Sequence, residues 1–276
     1  MEHILCLLIL KILTIQMQTI SFIGSGNLAW HLAPALDNAG FVVKEVYSRK
    51  ARHAEALTGR LYQAEVKATL DFSTSPSSIF IVAVNDESIS EIAREIILPD
   101  EAVLAHTSGS IPLTDLQFAA TPNVGVFYPL QTFTKNKKID FKQTPIFIES
   151  VNHETEIVLT TLAKAISNQV RKIASEERKA LHVAAVFASN FTNHMLTLSK
   201  ELMQQNGLEY EWLEPLISET INKSLQLGPE VAQTGPAKRG DLEILEDHLT
   251  FLQNDKAVAE IYRVISQHII DKYCEE

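Results

Sequence analysis

Two patterns of apolar and polar residues follow one another along this chain. Up to about residue 174, short apolar runs alternate with amphipathic stretches; beyond it only helical spacing remains. In the first part, residues 19–23 (TISFI) alternate and are β-branched or aromatic, which suits a short buried strand. From Leu28 the apolar positions Leu28, Leu32, Ala35 and Leu36 have helical spacing, with Pro34 early enough to be tolerated. Residues 41–47 predict a second strand, 52–57 a short helix, and Val66 marks a short third strand. Residues 78–84 (SIFIVAV) are apolar throughout, as a central parallel strand buried on both faces should be. SISEIAREII predicts an amphipathic helix over 88–97, EAVLAHTSGS a fifth strand with its loop, and NVGVFYPL a sixth. TPIFIES and QVRKIA add two edge strands around a helix at about 153–167. This alternation predicts an α/β domain with a doubly wound parallel sheet.

The pattern changes near Ser175. Residues 175–207 read as one long helical segment, capped by Ser175 and stopped by Gly207. EYEWLEPLISETINKSLQLGP, GDLEILEDHLTFL and KAVAEIYRVISQHIIDKY predict three more helices. The expected organisation is an extension at 1–16, a nucleotide-binding domain at 17–174 and an all-helical domain at 175–276. The apolar stripes of the helical part are broader than four helices need for one another, which predicts a homodimer.

Between the first strand and helix lies Gly24-Ser25-Gly26-Asn27, followed by Leu28 and Ala29. Gly24 permits the tight turn. Gly26 removes the side chain that would hold a diphosphate away from the backbone, and Ala29 is the small residue where helix meets strand. The N–H groups at the helix start then face the phosphates, so the G-x-G-x-x-A run reads as a dinucleotide site of the Rossmann-like kind. A glycine turn built only for its dihedrals is the plainer reading.

The end of the second strand separates the nicotinamide cofactors. NAD sites place a carboxylate there for the ribose hydroxyls. Here the residues are Ser48-Arg49-Lys50, and Glu45 sits earlier, within the strand. A hydroxyl and two cations suit a phosphate, and the planar arginine fork suits it best. NADP is the expected cofactor; a solvated basic turn is the alternative. Val84 and Asn85, at the next strand end, are expected beside the nicotinamide-side ribose, with Asp86 available to cap the following helix.

Three polar elements are expected to converge beyond the strand ends. HTSGS (106–110) offers Ser108 among its hydroxyls, or is a polar capping turn. FYPLQTF (127–133) leaves Gln131 and Thr132 free for a ligand. The long helix carries LHVAAVFASNF. At 100° per residue His182 and Ser189 share a face to within about 20°, Asn193 falls near them and Asn190 is offset by about 80°. This polar stripe either faces a pocket or is bonded inside a helical core. In the pocket reading His182 supplies a proton as hydride arrives and Asn190 or Asn193 orients the substrate. A fourth element, QTGPAKRGD (233–241), displays Lys238 and Arg239 on a stiff turn whose Asp241 caps the next helix.

Composition narrows the class. The formal charge is −10 over 276 residues, which argues against nucleic acid as a partner. The two cysteines, Cys6 and Cys274, form no disulfide framework, and the nine histidines have no metal-binding spacing, so no metal is expected. The apolar stretch at 4–15 is interrupted by Lys11 and is shorter than a membrane span needs. No cleavage site follows, and Met17 stands where a dinucleotide domain would begin, so residues 1–16 read as an extension outside the fold. A cytoplasmic protein with a small-molecule substrate and no membrane partner is expected.

ISFIGSGNLAWHL, HTSGS, FYPLQTF, HVAAVFASNF and TGPAKRGD occur in order over about 20–241. Together they resemble the DUF2520 family of NADP oxidoreductases, which is distantly similar to pyrroline-5-carboxylate reductase and the β-hydroxyacid dehydrogenases. The resemblance implies a Rossmann-like domain followed by a helical one, a nicotinamide cofactor and a dimer through the helical domain; it supplies no substrate. β-Hydroxyacid dehydrogenases carry a catalytic lysine on the long helix with asparagine one turn later. Here Lys179 is followed by Val183, so that mechanism does not carry over. Two functions fit the motifs. One is an NADP-dependent oxidoreductase acting on a small carbonyl, imine or hydroxy compound. The other is a non-catalytic nucleotide-binding sensor or scaffold.

Overall fold

The computed structural model describes residues 18–274; the expected extension at 1–16 and the start at Met17 lie outside the described residues. The chain divides into two compact units, one ending at Ser189 and the other beginning at Asn190. The expected boundary, at residue 175, lies one short helix earlier.

The first unit is built on an eight-stranded sheet ordered β3-β2-β1-β4-β5-β6-β7-β8. The strands are β1 (Thr19–Ile23), β2 (Val42–Tyr47), β3 (Glu65–Lys67), β4 (Ile79–Val82), β5 (Val103–His106), β6 (Val124–Pro129), β7 (Ile146–Ser150) and β8 (Val170–Lys172). Its helices are α1 (Asn27–Asn38), α2 (Ala51–Thr58), α3 (Ile89–Glu95), α4 (His153–Ile166) and α5 (Ser175–Ala185). Pro34 is accommodated inside α1.

Period-two alternation sends each central strand's side chains into two different cores. Ile79 and Ile81 of β4 enter the core covered by α1, α2 and α4, where Leu32, Leu36, Leu57, Leu159 and Leu162 are fully buried. Phe80 and Val82 enter the other, with Ile89 and Ile92 of α3. Each such side chain contributes about 1.5–3 kcal/mol by leaving water.

The sheet departs from the expected parallel arrangement at one edge. β7 pairs antiparallel with β6, and β8 then pairs parallel with β7. The β6–β7 connection contains only a 3₁₀ turn, Phe141–Gln143, and no crossover helix to pack on a face. The chain therefore returns alongside β6 in the opposite direction. The following β7–α4–β8 segment does have its helix and restores parallel pairing.

Beyond α5 a π-helical turn (Val186–Phe191) leads into α6 (Thr192–Gln205), so the segment expected as one regular helix is interrupted. Ala174, not Ser175, holds the N-cap position of α5; the Ala174 N–H is met by the Glu177 carboxylate.

The second unit is helical: α6, α7 (Glu214–Leu227), the single turns α8 (Pro229–Ala232) and α9 (Pro236–Arg239), α10 (Leu242–Phe251) and α11 (Lys256–Tyr273). Among its described residues only Ala237, Leu245, Leu252 and Ala259 are buried apolar side chains. Trp212, Leu216, Leu225, Val231 and Phe251 are 61–82% exposed. Among the described residues no helix is long and apolar enough to cross a membrane.

Candidate functional site

A cleft of about 560 Å³ opens at the C-terminal ends of β1, β2 and β4. Its floor is the turn between β1 and α1. Gly24 has φ +110°, and a Cβ there would stand 2.1 Å from the Ala83 carbonyl oxygen. The Gly24 N–H donates to the Tyr47 carbonyl at 2.8 Å, so the turn is pressed between the ends of β2 and β4. At Gly26 a Cβ would meet nothing within 4 Å. No protein atom demands glycine there; the space it keeps clear is the cleft. Gly26 is also the N-cap of α1 and has no side chain to satisfy the first-turn N–H groups. Unclaimed donors at a helix start beside open space form an anion cradle.

Gly24, Ser25, Gly26, Asn27, Ser48, Arg49, Lys50, Val84 and Asn85 all line this cleft. Leu28 does not; its side chain packs against the core, and only its backbone belongs to the first turn of α1. The structure also brings in residues that the sequence pattern had not singled out, among them His53 from α2 and Lys135 from the β6–β7 loop. Glu45 is engaged elsewhere. Its carboxylate accepts from Ser21 at 2.8 Å and from Ser75, and pairs with Lys67 at 3.3 Å. No carboxylate from the end of β2 faces the cleft. Asp86 opens a 3₁₀ turn and makes no capping bond, contrary to expectation.

A second polar centre forms where β5 and β6 end. The His182 ring on α5 lies edge-on to Tyr128 of β6, and the phenolic oxygen stands 3.0 Å from His182 Nδ1. Burial above all, and Asp86 in addition, raise the Tyr128 pKa against the opposing pull of Arg178. The phenol therefore keeps its proton, and its contact with Nδ1 fixes the orientation of the imidazole, with the donor set by the ring's tautomer. Gly109 passes directly beneath: a Cβ there would be 2.4 Å from His182 Nδ1 and 2.7 Å from Tyr128 Cζ.

The HTSGS loop is shaped by internal bonds. His106 is completely buried, and its Nδ1 accepts from the Ser108 N–H at 3.1 Å. Burial, reinforced by Arg178, lowers the His106 pKa to about 3. The Pro112 carbonyl favours a ring proton, but Nε2 finds no hydrogen-bond partner of good geometry. The Ser108 hydroxyl accepts from the N–H groups of Ser110 and Ile111 at 3.0 and 3.1 Å, the capping-turn arrangement.

Beneath the loop lies a residue hidden within the charged run SEERK. Arg178 is fully buried. It pairs with Glu149 of β7 at 3.0 Å and donates to the Ser108 carbonyl at 2.8 Å. Ser175 completes the network by donating to Glu149 at 2.7 Å and accepting from the Leu113 N–H at 3.3 Å. Nothing local distinguished Arg178 from a solvated helix face; the signal is the long-range pairing.

The π turn alters the expected polar stripe. An i→i+5 turn inserts one extra residue, which displaces the later positions of the helix by roughly 100° relative to regular α geometry. The face shared by His182 and Ser189 under regular geometry therefore does not carry across it. Ser189 is exposed at the end of the first unit, and Asn190 and Asn193 are exposed at the start of the second. In the second unit, Arg239 is displayed as expected, though ion-paired, and Lys238 is half-buried and hydrogen-bonded within its own turn. Lys238 donates to the Gln233 carbonyl at 2.7 Å, and Arg239 pairs with Asp241 at 2.7 Å. Asp241 stands at the N-cap of α10 without making the cap bond. Among the described residues no group of three or more His, Cys, Asp or Glu side chains could hold a metal ion.

Comparison with known proteins places this geometry. The model of a domain of unknown function, DUF2520, matches residues 144–269. A solved structure from Bacteroides fragilis, named a "putative NADP oxidoreductase", is 39% identical, with 93% of this chain and 99% of that one covered and a TM-score of 0.86. Protein TM1727 of Thermotoga maritima is 24% identical over 91% of this chain and 97% of its own, with a TM-score of 0.67. A reductive aminase from Aspergillus terreus, solved with NADPH and ethyl levulinate, is 13% identical over 93% and 95%, with a TM-score of 0.67. The latter two likenesses show the fold alone. No curated protein matches in sequence. A Rossmann-like sheet, a helical second unit and 39% identity over nearly the whole length have one reading: this chain is a member of the DUF2520 family.

Proposed function

We propose that this protein is an NADP-dependent oxidoreductase acting on a small carbonyl, imine or hydroxy compound. The observation that carries the reading is the Tyr128–His182 pair, which holds a half-buried imidazole in one orientation at the strand ends. The dinucleotide cleft stands at the same edge of the sheet. From β1 to β6 is three strand spacings, about 14 Å, within the reach of an extended dinucleotide. The residues present fit such a group: Gly26 keeps the cradle open, and the end of β2 offers Arg49 and Lys50 rather than an acid. Gly24 to Asn27 would hold the diphosphate, and Arg49 with Lys50 would hold a 2′-phosphate. The bound nicotinamide supplies the hydride. His182 would serve as the proton donor, as imidazolium returning to neutral imidazole, to the oxygen or nitrogen that gains charge, with Tyr128 fixing its orientation.

A sensor or scaffold would bind the nucleotide without turnover. The test is NADPH oxidation over a panel of small ketones, aldehydes and cyclic imines, with wild type and His182→Gln. Turnover that drops about 100-fold or more in the variant at unchanged NADPH affinity supports the reading; that is the lower end of what a general acid provides. Tight binding without turnover of any compound favours the sensor.

The same proposal includes a homodimer through the second unit. Its support is that Trp212, Leu216, Leu225, Val231 and Phe251 are each exposed on a unit with few buried apolar side chains. A monomer rarely leaves so much apolar surface in water. Light scattering at micromolar concentration should show twice the chain mass, and a single 30.8 kDa species overturns this part.

A further inference from the structure

Four basic side chains from three separate segments line the cleft at the β2 end: Arg49 and Lys50 from the β2–α2 junction, His53 from α2, and Lys135 from the β6–β7 loop. Lys135 is remote in sequence but is held there by construction. His31 Nε2 of α1 donates to the Thr134 carbonyl at 2.8 Å, and the neighbouring Phe133 ring packs against His31 and Phe141. The Lys135 ammonium then lies 4.6 Å from the centre of the Trp30 ring, which Arg60 also approaches at 4.2 Å. Among the described residues, Arg49, Lys50, His53 and Lys135 have no carboxylate within ion-pair distance, although Glu91 and Glu95 of α3 line the same cleft. A group of cations held together with no anion of its own is a site for one.

We propose that His53 and Lys135 complete a proton-linked site for the cofactor's 2′-phosphate, so that NADPH binding takes up a proton at His53. This inference rests on the cofactor reading above and names the residues that decide its selectivity. Without ligand, partial desolvation, then Arg52, Lys135 and Lys50, hold the His53 pKa below the ordinary histidine value. At neutral pH the ring is therefore mostly uncharged. A phosphate dianion seated among these cations reverses the balance: it offsets Arg52, Lys50 and Lys135 and accepts a bond from the protonated ring. Affinity then rises as pH falls from 8 toward 6.5. NADH, with no phosphate at that position, gains nothing.

The test is calorimetric titration of NADPH and NADH into the full chain at pH 6.5, 7.25 and 8.0. Buffers of different ionisation enthalpy count the protons. This window stays above the second ionisation of the phosphate itself, near pH 6. The wild type should bind NADPH with net proton uptake, and its NADPH-over-NADH preference should rise about three- to tenfold from pH 8.0 to 6.5; one linked proton allows at most about tenfold per pH unit. His53→Gln should abolish both the uptake and the slope. Lys135→Met should lower the preference at every pH and keep the slope. Retention of uptake in His53→Gln overturns the proposal, as does equal weakening of NADH, which would mean that the ring stacks on the adenine. An unchanged preference in Lys135→Met also overturns it. Adenosine 2′,5′-bisphosphate against 5′-AMP repeats the comparison without the nicotinamide. It tests the site even if the chain turns over no substrate. A wild type that never prefers the 2′-phosphorylated ligand sinks the cofactor reading along with the inference.

Discussion

The phenolic oxygen of Tyr128 stands 3.0 Å from Nδ1 of His182, across 54 positions of sequence and from a strand to a helix. The contact gives the imidazole one orientation. Phenylalanine at 128 keeps the ring contact and removes only the hydroxyl. Tyr128→Phe is expected to lower kcat about tenfold, the value of one hydrogen bond of about 1.4 kcal/mol felt in the reacting state. NADPH affinity and urea midpoint should hold steady. Loss of cofactor affinity in parallel with kcat would instead make Tyr128 a support of the cleft.

Gly109 is required by the pair above it. Alanine there places a Cβ 2.4 Å from His182 Nδ1 and 2.7 Å from Tyr128 Cζ, so the loop or the pair must move by about an ångström. Overpacking of this kind costs about 1–3 kcal/mol of stability. A displacement of that size at a reacting group costs about 100-fold in rate. Gly109→Ala should therefore fold, bind NADPH normally in its separate cleft and turn over poorly. Wild-type kcat in this variant would remove His182 from the chemistry.

The Arg178–Glu149 pair ties α5, β7 and the carbonyl of Ser108 into one unit. Arg178→Met leaves the Glu149 carboxylate without its partner, and removal of one member of a buried pair costs about 3–5 kcal/mol. Chemical denaturation should show that loss. Glu149→Gln keeps hydrogen bonding to Ser175 and to the guanidinium and should lose less. Equal and small effects from both would mean that the network is solvated in solution.

His106 sets an acid dependence. It is buried and neutral in the fold, with a pKa of about 3, against an ordinary value near 6.5 once unfolded. Between those values the unfolded chain binds the extra proton, so stability rises with pH and is lost as pH falls below about 6.5. One such group contributes a slope of up to about 1.4 kcal/mol per pH unit within this window. His106→Asn retains an acceptor for the Ser108 N–H and carries no titrating ring. Its unfolding free energy should depend less steeply on pH between 6.5 and 4 than that of the wild type. Parallel slopes would show that the ring is hydrated.

Local chemistry was enough for the elements and for half of the cleft. Short apolar and β-branched runs located β1 to β6 to within a few residues, because a strand buried on both faces has few other ways to be written. The G-x-G-x-x-A turn and the Ser48-Arg49-Lys50 run could be read because each acts through its own backbone and charge, over a few consecutive positions. The helical second half followed from spacing alone. Tertiary structure decided everything that depends on distant partners. It reversed β7, since no crossover helix separates it from β6. It placed Lys135 beside His53 through the His31–Thr134 bond, and buried Arg178 against Glu149 although its neighbours in sequence are solvated charges. It broke the polar stripe after His182 with a π turn, where an assumed 100° per residue fails. Periodicity reports which face a residue takes along its own element. It carries no term for the energy of a hydrogen bond or ion pair closed across 29 or 54 residues, and such bonds build this site.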